Sequence, residues 1–153
     1  YCQNNELSWI DWRLADDNCD MLEFTRGMIA LRKRHPTLRR RRFLTGKPER
    51  EGAPPDISWH GVELDDPGWD DGNTRTLAFM LAGLADDEPH LHVMLNMWED
   101  TLDFALPPLA GRRWFLAVDT GREPALHATD DQPTVHGESY RVGPRSVVVL
   151  EGR

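Results

Sequence analysis

The sequence predicts a mainly β fold: an antiparallel β-sandwich of Greek-key type over residues 46–153, preceded over residues 1–45 by a polar loop and one long helix. Three observations carry this. Apolar residues recur at helical spacing between Met21 and Leu31. Beyond residue 45 the period changes to short stretches of two-residue alternation. Turn chemistry separates those stretches with no helix between them, the pattern of a sandwich of short strands.

The helix comes first. Asp16, Asp17 and Asn18 offer an N-cap with acid near the positive end of the helix dipole. Met21, Phe24, Met28 and Leu31 then form one apolar stripe, widened by Leu22 and Ile29. Arg32, Lys33 and Arg34 suit the negative end of the dipole, and Pro36 stops the helix because the residue before a proline is pushed out of the helical region.

The strands follow in order. Ile57–His60 is the first candidate, then Leu77, Phe79 and Leu81, then Leu91, Val93 and Leu95, then Leu102, Phe104 and Leu106. Trp114–Val118 and Ser146–Leu150 complete the clearer set, with Tyr140–Val142 as a weaker addition. Breakers lie between them, including Ala53-Pro54-Pro55-Asp56, Asp66-Pro67-Gly68, Pro107-Pro108 and Asp119-Thr120-Gly121. Lys47–Pro55 reads as the linker between helix and sheets.

Composition narrows the function. Residues 1–45 carry nine basic and six acidic side chains, and residues 46–153 carry nine and twenty, so the net charge of −8 sits on the second part. An acidic body argues against nucleic acid as partner, because phosphate binding needs a concentrated positive face. No apolar run approaches a membrane span and no signal-peptide pattern opens the chain. Cys2 and Cys19 make neither a disulfide framework nor a metal pair, so free thiols in a reducing, cytoplasmic setting and no cofactor are expected.

The opening, Tyr1-Cys2-Gln3-Asn4-Asn5-Glu6-Leu7-Ser8-Trp9-Ile10-Asp11-Trp12, followed by a helix closing in Leu31-Arg32-Lys33-Arg34-His35-Pro36, resembles bacterial glycogen debranching enzymes of the isoamylase type, in the alpha-amylase superfamily. Asn4 departs from the aspartate of that family. Later segments agree in order: Asp56-Ile57-Ser58-Trp59, the acidic turn with Trp69, Leu95-Asn96, and Arg145-Ser146-Val147-Val148-Val149-Leu150. The resemblance implies that residues 1–45 are the last loop and helix of a (β/α)8 catalytic barrel and that residues 46–153 are the C-terminal sandwich packed on it. It further implies a parent that hydrolyses α-1,6 branch links in glycogen, with the catalytic carboxylates upstream of Tyr1. The present chain is then a structural piece, inactive alone, whose partners are the preceding domains and, through the parent, branched α-glucan. An autonomous α-glucan-binding module is the alternative.

A loop after the last barrel strand lies at the catalytic face. Tyr1, Trp9 and Trp12 are therefore candidates to stack on sugar, and Gln3, Asn4 and Asn5 to meet hydroxyls, since amides both donate and accept. Packing of the two tryptophans against barrel and sandwich, and loop-capping by the amides, are the competing readings. His90 and His92 share a strand face but lack a third ligand, so surface histidines are expected rather than a metal edge. Arg39–Arg42 reads as a solvated run paired in part with the acidic sandwich. Trp59, Trp69, Trp98 and Trp114 are expected in the sandwich core or its junction with a neighbour, against a sugar-stacking platform. Stripped of the barrel, the helix face is expected to drive self-association or to re-dock on the sandwich.

Overall fold

A computed structural model describes residues 2–153. The predicted helix is α2, Cys19–Arg34, and a single helical turn, α1, Leu14–Asp17, precedes it. Its start differs from expectation. The Asn18 side chain accepts nothing from the first turn of α2; its carboxamide NH2 instead donates to the Leu14 carbonyl at 3.1 Å and closes α1. The end is as the proline requires. His35 is extended (φ −108°, ψ 100°), and a 3-10 turn, Pro36–Arg39, follows.

Eight strands follow: β1 Ile57–His60, β2 Thr76–Leu81, β3 His90–Asn96, β4 Leu102–Ala105, β5 Trp114–Asp119, β6 Thr134–Val135, β7 Ser139–Val142 and β8 Ser146–Gly152. They form an antiparallel six-stranded sheet in the order β1-β2-β3-β8-β5-β6 and a two-stranded sheet of β4 and β7. The chain leaves the large sheet after β3 and returns at its far side, so that β8 closes between β3 and β5, as in a Greek-key sandwich. β6 is only two residues long, below the length at which alternation is readable.

Alternation assigns the two faces of the large sheet. On one face Ala78, Met80, Met94, Val148, Leu150, Trp114 and Leu116 meet Phe104 and Val142 of the small sheet, and this is the sandwich core. On the other face Ile57, Leu81, Leu91 and Val149 meet Leu31 of α2, with Phe24, Met28 and Leu38 at the edge. A bulge in β5 between Leu116 and Val118 lets consecutive Ala117 and Val118 both enter this second cluster. The helix therefore lies on the sandwich, and burying Leu31 alone is worth about 1.5–3 kcal/mol. Only part of the predicted stripe is used, since Met21 and Ile29 stay exposed.

One expectation fails and another is met in part. His90 and His92 are buried, not on the surface, because their positions in β3 alternate onto the core face with Met94. Of the four later tryptophans only Trp114 enters the core, where its indole donates to the Pro107 carbonyl at 2.9 Å. Trp59, Trp69 and Trp98 are exposed. Trp59 and Trp69 meet edge to face with ring centroids 5.5 Å apart, and Trp59 also touches Phe79 at 5.5 Å.

Candidate functional site

The loop of residues 2–13 holds itself by local hydrogen bonds. The Ser8 and Trp9 amides donate to the Asn5 carbonyl at 3.0 and 3.1 Å. Asn5 Oδ1 accepts from the Leu7 amide at 3.1 Å and its Nδ2 donates to Gln3 Oε1 at 3.0 Å. Asn4 Oδ1 accepts from the Trp9 indole at 2.7 Å. The amides thus do the loop-capping work, and Asn4 ties down Trp9 without needing a charge. Tyr1 lies outside the described residues. Neither tryptophan packs on the sandwich: Trp9 is 62% and Trp12 77% exposed, with Leu7, Ile10, Leu14 and Met21 also open. Phe43 and Leu44 add to the uncovered apolar surface further along the chain. Of the expected packing against barrel and sandwich, the sandwich contact is absent among the described residues, and within this chain both tryptophans meet solvent.

What fixes the helix is a set of buried polar anchors at its C-terminal end, which the sequence patterns did not reveal. Glu151 of β8 accepts from His35 Nε2 at 3.0 Å and from Arg34 Nε at 3.1 Å, with a further bond from Arg34 Nη2. Burial pushes the Glu151 carboxyl up, but the His35 and Arg34 hydrogen bonds and charge outweigh it and hold the group down at about 2. Thr37 of the 3-10 turn donates its amide to Glu88 Oε1 at 2.8 Å and its hydroxyl to the Ala82 carbonyl at 2.9 Å. Asp56, at the entry to β1, accepts from the Thr45 and Gly46 amides at 2.9 and 2.8 Å. Burial opposes its ionisation, yet these bonds and the nearby Arg40 keep its carboxyl below the ordinary range. Arg40 also pairs with Glu49, so one member of the arginine run does meet the acidic body.

Period-two alternation could have flagged one anchor: Glu151 shares a face with Val147 and Val149, so an acid there points at the helix.

The Asp119-Thr120-Gly121 segment is a turn. Asp119 accepts from the Gly121 amide at 3.0 Å, from the Tyr140 hydroxyl at 2.9 Å and from Arg122 Nε at 3.0 Å. The four most buried carboxylates, Asp56, Glu88, Asp119 and Glu151, are thus all engaged in structural hydrogen bonds. Among the described residues no group of His, Cys, Asp and Glu is placed to hold a metal, and no helix is long and apolar enough to cross a membrane.

These features define a class: a C-terminal-type β-sandwich that clamps a helix and presents an uncovered aromatic loop beside it. Residues 56–151 match the family described as isoamylase, C-terminal, and the chain belongs to that family. It is 33% identical over 98% of its length to the glycogen operon protein GlgX homolog of Mycobacterium tuberculosis. It is 32% identical to the glycogen debranching enzyme of Dickeya chrysanthemi and 26% to the isoamylase of a Flavobacterium species, again over 98% of its length. It covers 22%, 20% and 21% of those three proteins respectively, about a fifth of each.

Proposed function

We propose that this chain is the C-terminal portion of a glycoside hydrolase that cleaves α-1,6 branch links in glycogen and its limit dextrins. Residues 1–45 form the end of a catalytic barrel and residues 46–153 the sandwich that buttresses it. The observation that carries the reading is the uncovered apolar loop of Trp9, Ile10 and Trp12, held on a helix that the sandwich clamps through buried Glu151. A surface this apolar on a folded unit marks an interaction site that the rest of the protein completes. The match across the whole chain to debranching enzymes about five times longer supports the same division.

In that setting the chemistry belongs to the preceding domain. Retaining cleavage needs two carboxyl groups flanking one glycosidic bond, a nucleophile and an acid with a raised pKa. The buried carboxylates of this chain are committed to His35, Arg34, Thr37 and Tyr140 instead. The contribution of residues 2–13 is positional: Trp9 and Trp12 line the substrate face, with Gln3, Asn4 and Asn5 holding the loop and their remaining amide groups available to sugar hydroxyls. Tyr1 belongs to the same proposed surface. The protein works in the cytoplasm, where glycogen is stored. Residues 1–153 expressed alone self-associate through the open loop and helix face, read by sedimentation as a concentration-dependent dimer or larger species.

The test is an assay on branched limit dextrin with the product of the whole reading frame and with residues 1–153. The longer product should release linear chains and the shorter none. Retardation of residues 1–153 on glycogen-containing native gels would favour the glucan-binding alternative.

A further inference from the structure

We propose that a cavity at the end of the sandwich, where β3 begins, binds a phosphate group, free or carried by a small ester, through Arg50, His90 and Arg112. The cavity measures about 580 Å3, and these three side chains line it together with apolar Met80 and Leu109. Four arginines are partly buried among the described residues, Arg34, Arg40, Arg50 and Arg112. The first three each pair with a carboxylate; Arg112 pairs with none. Its guanidinium instead donates to three backbone carbonyls, those of Glu88 at 2.9 Å, Gly152 at 3.2 Å and Asp86. The carbonyls fix its position and leave its charge unmatched. A cation drawn out of water is ordinarily matched by an anion.

His90 adds a donor of fixed sense. The Gly83 amide donates to its Nδ1 at 3.0 Å, so the ring proton sits on Nε2, which meets no protein acceptor among the described residues. Burial, then the charges of Arg112 and Arg50, push the imidazole down, with Glu88 acting the other way. At neutral pH the ring is therefore an uncharged N–H donor in a positive surrounding. Arg50 Nη2 donates to Asp86 Oδ1 at 2.5 Å, yet Asp86 is 94% exposed. A pair this open is worth little and yields to a better-held anion. Asp86 thus stands where a phosphate oxygen would, and the other acid on the wall, Glu51, is exposed too. Donors from three segments suit a tetrahedral oxyanion, and arginine is the side chain that recognises phosphate best. Among the described residues no Phe, Tyr or Trp lines the cavity, so an uncharged glucan finds no ring to stack on. The site lies within the sandwich and stands apart from the enzymatic reading of the parent.

The experiment is isothermal titration calorimetry of the whole reading frame's product at fixed ionic strength, with inorganic phosphate and with glucose 6-phosphate. It is run on the parent, R50Q, R50K and D86N. Both positions lie at the cavity mouth, with Arg50 37% and Asp86 94% exposed. R50Q should weaken the tighter probe about tenfold, the loss of one charge-assisted contact, and R50K should recover most of that loss. D86N removes the competing carboxylate and should tighten binding about threefold. A merely structural Arg50–Asp86 pair would not give shifts of opposite sign. Tighter binding of glucose 6-phosphate than of phosphate makes an ester the ligand; equal or weaker binding makes it free phosphate. Absence of saturable binding of either probe, or failure of R50Q or D86N to shift in its stated direction, overturns the proposal.

Discussion

Glu151, in the last strand, and His35, just past the helix, meet at 3.0 Å although 116 residues separate them, and each side chain is 1% exposed. Arg34 completes the group from the partly open side. A buried carboxylate whose partners come from another element fixes where that element sits. Replacing Glu151 by Ala leaves His35 and Arg34 without their acceptor, and breaking a buried pair in this way costs about 3–5 kcal/mol. Urea denaturation of E151A should show a markedly lower midpoint, and H35L a loss in the same direction. An unchanged midpoint in E151A would remove the clamp from the account.

Acid should destabilise the fold in two windows. His92 is fully buried beside His60 and Trp114, and neither ring nitrogen makes a hydrogen bond of ordinary geometry, the Phe79 backbone being its nearest weak partner. Burial, then the charge of His60, push it down to about 3; the Phe79 backbone acts weakly the other way. A depressed folded pKa means that protonation favours the unfolded chain. Stability therefore falls as pH drops below the unfolded value of about 6.5, by up to about 1.4 kcal/mol per pH unit, until pH about 3. The Glu151 contribution is complete above its unfolded pKa, about 4.3, and is lost as pH falls toward 2. Denaturation midpoints of H92L should be flatter than the parent's between pH 6.5 and 4.5, and those of E151Q flatter below pH 4.5. Parallel curves for parent and H92L would refute the assignment.

At neutral pH H92L should cost little or stabilise. Replacing an unpaired buried polar group by an apolar one of similar size removes a desolvation penalty of about 1–3 kcal/mol. A thermal midpoint several degrees below the parent's would show that the ring has a partner after all.

Glycine substitutions separate a soft neighbour from a hard one. A Cβ at Gly27 would lie 2.4 Å from Leu126 Cδ1, the end of a side chain that can rotate away. At Gly61 it would lie 2.2 Å from the Asp66 carbonyl oxygen, which is backbone. G27A should come out near neutral, because the roughly 1 kcal/mol gained in helix propensity offsets the crowding. G61A should lose more than that in a chemical denaturation series. The reverse order would be inconsistent with the packing described.

Much of this architecture was legible beforehand. The switch of period at residue 45 located the helix and the main strands, since alternation and helical spacing are properties of the chain itself. Alternation also tells which residues share a face, but not what covers that face. For that reason His90 and His92 were expected on the surface although they point into the core. For Trp59 and Trp69 the sequence leaves core and junction with a neighbour both open, because large aromatics are ordinarily covered; within this chain the two stay exposed. Alternation puts Glu151 on the helix-facing side but does not name its partners, Arg34 and His35, which lie more than a hundred residues away. For the candidate site, composition marks the loop residues as a group of aromatics and amides. That the amides cap the loop and that Asn4 holds the Trp9 indole depend on local geometry the spacing does not encode.

In the opening loop, W9S and W12S should leave the stability of residues 1–153 within about 0.5 kcal/mol, because both side chains are exposed there. In the product of the whole reading frame the same changes should raise KM for branched dextrin or lower kcat. A large stability loss in the short chain with unaltered kinetics in the long one would return both tryptophans to a packing role.

The most direct measurement is release of reducing ends from a glycogen limit dextrin, run side by side with the whole reading frame's product and with residues 1–153. Activity confined to the longer polypeptide is the predicted result. Chain release by residues 1–153 alone, or none by the longer product, would contradict the account.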